Sequence, residues 1–78
     1  MTERAWRVIG IDRDGEIIYI VETTPKLAHQ IFRGIPRAWS MMKKAKPEQY
    51  SAFWYGIAHQ IALEDHNGKL VEMTEREK

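Results

Sequence analysis

Histidine is the side chain in this sequence best suited to metal binding or to acid–base catalysis near neutral pH. The chain has three, His29, His59 and His66. None has a second histidine or a carboxylate three or four residues further on, the spacing that places two ligands on one helical face. The chain contains no cysteine, so thiolate ligands and thiolate nucleophiles are excluded as well. We therefore expect no metal site.

Oxygen ligands and hydroxyl nucleophiles give no stronger signal. Asp12, Asp14 and Glu16 alternate along a glycine-containing stretch, as in a calcium loop, but that loop needs further ligands and a closing glutamate at fixed spacing. We interpret the segment as a turn. Ser40 and Ser51 lie outside any nucleophile-elbow pattern, and no glycine-rich phosphate loop is present. The sequence predicts a protein that is not an enzyme and has no cofactor and no small-molecule substrate.

Positive charge is concentrated in the middle of the chain. The net charge is +1, yet residues 23–47 carry six basic side chains and no acidic one, whereas residues 1–22 and 48–78 are each net acidic. Such a segment attracts phosphate or an acidic protein surface; alternatively, it neutralises the acidic ends of the same molecule. The candidate binding site is this basic patch, which consists of Lys26, Arg33, Arg37, Lys43, Lys44 and Lys46.

Residues 4–22 are predicted to form a β-hairpin. They are rich in β-branched and aromatic side chains, and Asp12 to Gly15 has turn chemistry, with Gly15 in the left-handed position. Alternation places Trp6, Val8, Ile17, Tyr19 and Val21 on one face, and Arg7, Ile9, Ile11, Glu16, Ile18, Ile20 and Glu22 on the other. Because both faces are largely apolar, the second face must be covered by the C-terminal tail or by another molecule.

Two short helices are predicted in the basic segment, at residues 25–33 and 36–45, separated at Gly34. A helix-turn-helix motif would be a reason for such a pair. However, Gln30 stands where that motif needs a small residue, and Trp39 stands where a recognition helix presents polar side chains. We therefore favour an ordinary helical hairpin.

A long core helix is predicted at residues 47–66, followed by a short strand at residues 69–73. The apolar side chains of the predicted helix recur at steps of three and four residues; they are Tyr50, Phe53, Trp54, Ile57, Ala58 and Ile61. An alternative stays open, in which residues 62–73 form their own hairpin around Asn67-Gly68, a strong turn dipeptide. The helical periodicity favours the first interpretation.

The predicted fold is α+β, in the order β-β-α-α-α-β. A small antiparallel sheet, made of the N-terminal hairpin and the short C-terminal strand, packs against the helices. Residues 1–78 form one small globular domain, with a frayed tail at residues 74–78. The predicted core consists of Val8, Ile18, Ile20, Leu27, Ile31, Tyr50, Phe53, Trp54, Ile57 and Ile61.

The function predicted from these features is binding without catalysis. No apolar run approaches the roughly 20 residues that span a bilayer, and the first residues are too polar for a signal peptide, so we expect a cytoplasmic protein without membrane contact. The spare apolar face of the hairpin indicates a protein-binding module, which binds a protein partner or a second copy of itself. Small domains without motifs are common among phage-encoded inhibitors that occlude host machinery, and the hypothesis includes that class.

The alternative hypothesis is nucleic-acid binding through residues 23–47. The basic patch would contact phosphates, and Trp6, Trp39 and Tyr55 would stack on bases. The small net charge places this alternative second.

Overall fold

The computed structural model describes residues 5–46 and 55–76. Its elements are strand β1 (Trp6–Ile11), strand β2 (Ile17–Thr23), helix α1 (Pro25–Met42), strand β3 (Gln60–Glu64) and strand β4 (Leu70–Glu75). The strands form one antiparallel sheet in the order β2-β1-β3-β4, and α1 packs on one face of it. The predicted order β-β-α-α-α-β is therefore wrong, because the described residues give β-β-α-β-β. The class α+β fits only roughly.

Helix α1 is one continuous helix where two were predicted. Thr24 caps it, since its Oγ1 accepts the N–H of Leu27 at 3.3 Å, and Pro25 occupies the first turn. Pro36 lies inside the helix, where a proline costs about 3 kcal/mol. Large apolar side chains beyond Gly34 offset that cost, because each contributes about 1.5–3 kcal/mol when buried. The uninterrupted buried stripe is Ala28, Phe32, Ile35, Trp39 and Met42.

This continuity makes the predicted break at Gly34 wrong. The helical hairpin and the helix-turn-helix motif are also wrong, since both need two separate helices. None of the helices in residues 5–46 and 55–76 is long and apolar enough to cross a membrane.

The predicted core helix is wrong over the part that the structure describes. Residues 55–57 form a single 3₁₀ turn, and β3 begins at Gln60. Residues 47–54, with Tyr50, Phe53 and Trp54, lie outside the described residues. The chain from β3 to β4 is a hairpin around Asn67-Gly68, which is the alternative that the sequence left open, with wider bounds.

Strand β3 shows why a helix does not form there. Ile61, Ala62 and Leu63 are consecutive and all buried. Ile61 and Leu63 face α1, whereas Ala62 faces the other side of the sheet. A strand at the centre of a sheet can bury successive residues on both faces, so its apolar run need not alternate.

The loop between β1 and β2 is held by one aspartate. Asp12 Oδ1 accepts the N–H groups of Asp14 and Glu16, each at 2.9 Å. Gly15 has φ +83°, in the left-handed region that glycine adopts without steric cost. The carboxylate that resembled a calcium ligand therefore serves the turn itself.

The loop between β3 and β4 has the same construction. Asp65 Oδ1 accepts the N–H of Asn67 at 2.9 Å and that of Lys69 at 3.0 Å, and Gly68 has φ +76°. Each residue of this loop stands 53 positions after its counterpart in the first loop. The register shift of each hairpin obeys the same offset, since it falls between residues 10 and 11 in one and between residues 63 and 64 in the other.

The hydrophobic core lies between α1 and one face of the sheet. It consists of Val8, Ala28, Phe32, Ile35, Trp39, Ala58, Ile61 and Leu63, with Trp6, Tyr19, Val21, Ile31 and Tyr55 packed around it. The predicted core members Val8 and Ile61 are confirmed, as both are fully buried.

Four predicted core residues are exposed instead: Ile18, Ile20, Leu27 and Ile57. Ile20 lies on the sheet face opposite α1, as its pairing with Ile9 shows, and Ile18, two residues before it on the same strand, shares that side. Leu27 lies beside the buried stripe of α1, and Ile57 lies in the 3₁₀ turn. For a hairpin with two apolar faces, the composition alone does not determine which face receives the helix.

Candidate functional site

The sheet face opposite α1, which we call the open face, is apolar across its full width. Ile9 of β1 stands opposite Ile20 of β2 and opposite Ala62 of β3. Ala62 in turn stands opposite Met73 of β4. These four side chains form one row that crosses all the strands. Side chains two residues apart on a strand share one side of the sheet, so the open face consists of Ile9, Ile11, Ile18, Ile20, Ala62, Val71 and Met73. At the register shifts, Ile17 stands opposite Ile11 and Leu70 stands opposite Glu64, so these two residues border the same face.

The outer strands leave large apolar side chains in contact with water. Ile20 is 53% exposed, Val71 48% and Met73 45%. A sheet with one solvated face normally places polar residues there, and single exposed apolar residues are ordinary, whereas a contiguous apolar patch indicates an interaction surface. The open face has the properties of such a surface.

Charged side chains lie at one end of the open face. Arg7 stands opposite Glu22 on β2 and opposite Glu64 on β3. Arg7 Nε donates to Glu22 Oε1 at 2.9 Å, and both side chains are about half exposed. At the opposite end, Gln60 stands opposite Glu75. The apolar row therefore has polar groups on either side of it.

The basic patch lies on the other side of the molecule, along and after α1. Lys26, Arg33 and Arg37 are exposed and recur at helical steps of seven and four residues, so they lie along one line. The other three, which are also exposed, follow the end of α1; they are Lys43, Lys44 and Lys46.

In the described part of the chain, most cations of the basic patch form no ion pair with an acidic side chain. Within residues 5–46 and 55–76, no carboxylate forms an ion pair with any of five patch residues: Lys26, Arg33, Arg37, Lys43 and Lys44. Their charge therefore remains available to an anionic partner.

The aromatic rings assigned to base stacking are engaged elsewhere. Trp39 is buried, and its Nε1 donates to the Ala58 carbonyl at 3.0 Å. Trp6 packs against the His29 ring at a centroid distance of 5.0 Å. Tyr55 packs edge-on against another ring of the core periphery. Of the three, Trp39 is buried away from any base, whereas Trp6 and Tyr55 are half-buried; base stacking on these two stays a prediction.

Tyr19 closes one end of the core, a role that the sequence did not reveal. Its hydroxyl donates to the Tyr55 carbonyl at 2.8 Å, and its ring lies over Gly10, where a Cβ atom would collide with it. Burial raises the pKa of Tyr19 well above its usual value, and Tyr55 adds to the rise. Tyr19 therefore remains a protonated hydrogen-bond donor at neutral pH.

A shallow cleft of about 280 Å³ lies between α1 and the end of β4. Its polar lining residues are Ser40, Lys43, Thr74, Glu75 and Arg76. Among the residues that the structure describes, Ser40 forms no side-chain hydrogen bond with a histidine or a carboxylate. Within the described part of the chain, Ser40 is therefore not paired with a general base of that kind.

Two residues of the open face, Val71 and Met73, lie in the short C-terminal strand that the sequence predicts at residues 69–73, but the sequence does not indicate which face of the sheet they share. The signal that could have found them is the repeated loop, Asp12 to Gly15 and Asp65 to Gly68. A second loop of the same type predicts a second hairpin, and hence a fourth strand with its own apolar face.

Comparisons of the chain with protein families, with curated proteins and with solved structures each give no match. The open face and the basic patch are the two candidate functional surfaces of the described residues.

Proposed function

We propose that the chain is a non-catalytic protein-binding module whose contact surface is the open face. The observation that carries this proposal is the exposure of large apolar side chains on the outer strands of that face. Exposure of these side chains to water is unfavourable, and a partner that covers them removes this unfavourable contribution to the free energy. The module acts by occluding the surface of its partner.

The amount of exposed surface limits the affinity. Covering a half-exposed side chain of this size contributes roughly 1 kcal/mol. The four exposed positions of the open face, at residues 18, 20, 71 and 73, together contribute about 4 kcal/mol, from which the entropy cost of association is subtracted. Ile17 and Leu70, which adjoin the face and are also about half exposed, add to the apolar surface that a partner can cover.

The test is capture of a partner by immobilised protein and by two matched double variants. Ile20→Glu with Met73→Glu places a charge at each end of the apolar row. Arg33→Glu with Arg37→Glu, the control, reverses charge on α1 and leaves the open face intact. We expect binding to a partner, or to a second copy, to be lost in the first variant and retained in the control.

Two results would contradict the proposal. One is binding that the open-face variant retains at full strength. The other is wild-type protein that neither captures a partner nor self-associates at high concentration. Circular dichroism of each variant separates loss of binding from loss of folding.

A second candidate function, nucleic-acid binding, is supported by the arrangement of the basic patch. Lys26 and Arg37 are about 16 Å apart along α1 at 1.5 Å per residue, a span that covers several phosphates of a duplex backbone. Because Trp39 is buried and Trp6 and Tyr55 are half-buried, this function would use phosphate contacts more than base stacking.

A mobility-shift assay at low salt tests this candidate. Contacts with about five phosphates give a slope of log K against log salt of about −4 to −5 on duplex DNA. We expect Lys43→Glu with Lys44→Glu to weaken the shift and to flatten the slope. Absence of a shift at micromolar protein, on both duplex and single-stranded probes, would exclude this function.

A further inference from the structure

The sheet has an approximate internal twofold axis perpendicular to its plane. The strand order β2-β1-β3-β4 and the 53-residue offset between the hairpins both place this axis between Ile9 and Ala62. A half-turn about it exchanges β1 with β3 and carries Arg7 onto the position of Gln60. The same half-turn carries the pair Arg7 and Glu64 onto the pair Gln60 and Ile11, and both pairs are present in the register of β1 and β3. The repeat therefore extends from the loops to the whole sheet.

The same axis organises the open face. It carries Ile20 onto the position of Met73 and Ile18 onto that of Val71, so the apolar row maps onto itself. A homodimer with a single twofold axis is built from one self-complementary patch. The apolar row meets this requirement because it is apolar from β2 to β4 whichever end it is read from. The row of a second copy can therefore cover it along its whole length.

We infer that the open face binds the open face of a second copy, with the dimer axis parallel to the strands. This inference rests on the proposed function of the open face as a contact surface. Two features of the register select this axis over one that runs across the strands: the sizes of the facing side chains and the charges beside them.

Side-chain size is the first feature. With the axis parallel to the strands, Ile9 lies over Ala62 of the second copy, and Ile20 lies over Met73 of the second copy. Large residues then face small ones at the centre of the row. With the axis across the strands, each residue faces its own copy, and the two alanines leave a gap.

Charge is the second feature. With the axis parallel to the strands, Arg7 lies over Glu64 of the second copy, and the contact occurs twice by symmetry. With the other axis, Arg7 lies over Ile11 of the second copy and gains no charged partner beyond Glu22 of its own chain. Complementary charge therefore favours the parallel axis.

The dimer also separates the two basic patches. Each α1 lies on the outer side of its sheet, so the two helices are about 30 Å apart across the stacked layers. That distance exceeds the Debye length of about 8 Å at physiological salt. Contact through α1 would instead bring like charges together. The covered plane is on the order of 400 Å² per copy, about 800 Å² in total and below the roughly 1,200–2,000 Å² of standard interfaces, so the dimer is weak and should dissociate on dilution.

Sedimentation analysis over a range of concentrations tests the inference with charge-reversed variants. Arg7→Glu places two glutamates over each other in the dimer, and Glu64→Arg places two arginines there. We expect each variant alone to have a dissociation constant at least about tenfold above that of the wild type. An equimolar mixture of the two should form a heterodimer about as stable as the wild-type dimer.

The mixture is the decisive sample. Each variant keeps its own like-charged pair across β1 and β3 in the mixture, so regained association can only come from contacts between chains. The inference is overturned if the mixture associates no more strongly than each variant alone. It is also overturned if the wild-type protein stays monomeric at every concentration. The proposed function could still hold without the dimer. It would hold if the protein captures a different protein and if the double variant Ile20→Glu with Met73→Glu abolishes that capture.

Discussion

The two hairpins of this protein have the same loop and equivalent places in the sheet, but they are built from different residues. β2 reads IIYIVET, and these residues strongly prefer strands. β3 reads QIALE, and its glutamine, alanine, leucine and glutamate are good helix formers. The second hairpin therefore owes its structure to its loop and to pairing with β1, and less to intrinsic preference.

The hairpins also fill the core in different ways. Gly10 of β1 is covered by the Tyr19 ring, whereas the equivalent position in β3 is Leu63, which fills the space itself. Along the apolar row the equivalent residues are apolar in both hairpins, Ile20 with Met73 and Ile9 with Ala62, whereas the equivalent of Ile11 is Glu64. The symmetry is thus retained along the row and is lost beside it and around Gly10.

The largest effect is expected where the two hairpins meet α1. Ile61 is fully buried in the core, so Ile61→Ala should lower the free energy of unfolding by about 2–5 kcal/mol. Ile20→Ala, on the open face, should cost less than half as much. Urea unfolding of dilute protein measures both. Equal losses would contradict the placement of these residues on opposite faces.

A smaller effect is expected at Gly10. A methyl group there overlaps the Tyr19 ring, so Gly10→Ala should cost about 1–3 kcal/mol. Gly34 is the control, because no atom lies near its Cβ position. Gly34→Ala should stabilise the helix by roughly 1 kcal/mol. Thermal unfolding of both variants checks the contrast, and a Gly10→Ala protein as stable as the wild type would show that the ring does not lie there.

The loops should respond alike. Gly15 and Gly68 both have positive φ, so alanine at either position should cost about 1–2 kcal/mol. Asparagine, which tolerates this conformation, should cost less at both. Chemical unfolding of the four variants compares the hairpins directly, and a loss at one glycine alone would break their equivalence.

The smallest effect concerns acid. The N–H groups of Lys69 and Asn67 hold the pKa of the exposed Asp65 carboxyl below its usual value. Its contribution is therefore complete above the unfolded pKa of about 3.9 and is lost as the pH falls through the lower folded value. The wild type should exceed Asp65→Asn in stability at neutral pH, and the difference should shrink in acid. A difference independent of pH would contradict this.

The first hairpin could be predicted from the sequence because its residue preferences, alternation and turn agree. The second could not be predicted in the same way, since the steps to Ile61 match a helical period and the residues of β3 suit a helix. For α1, the local signals at Gly34 and Pro36 predict a break, but the continuous apolar stripe decides the structure.

The candidate surfaces differ in the same respect. The six basic residues could be chosen from charge alone, because exposure is the usual state of lysine and arginine. The open face needed the register of four strands, which brings Ile20 and Met73 into one row although they are 53 residues apart in the chain. Long-range pairing of this kind leaves no local pattern in the sequence.

Oxidation of methionine tests most directly whether the open face is a contact surface. In the single chain, Met73 on the open face and Met41 on α1 are similarly exposed, at 45% and 54%, so Met41 is an internal control. At high protein concentration, or with a captured partner bound, Met73 should oxidise several-fold more slowly than Met41. Gln60 Nε2 also donates to Met73 Sδ at 2.6 Å in the single chain, so the readout is the change in the ratio of the two rates. Dilution, or Ile20→Glu, should raise the rate of Met73 oxidation relative to that of Met41. A ratio that is the same under all these conditions would contradict the account.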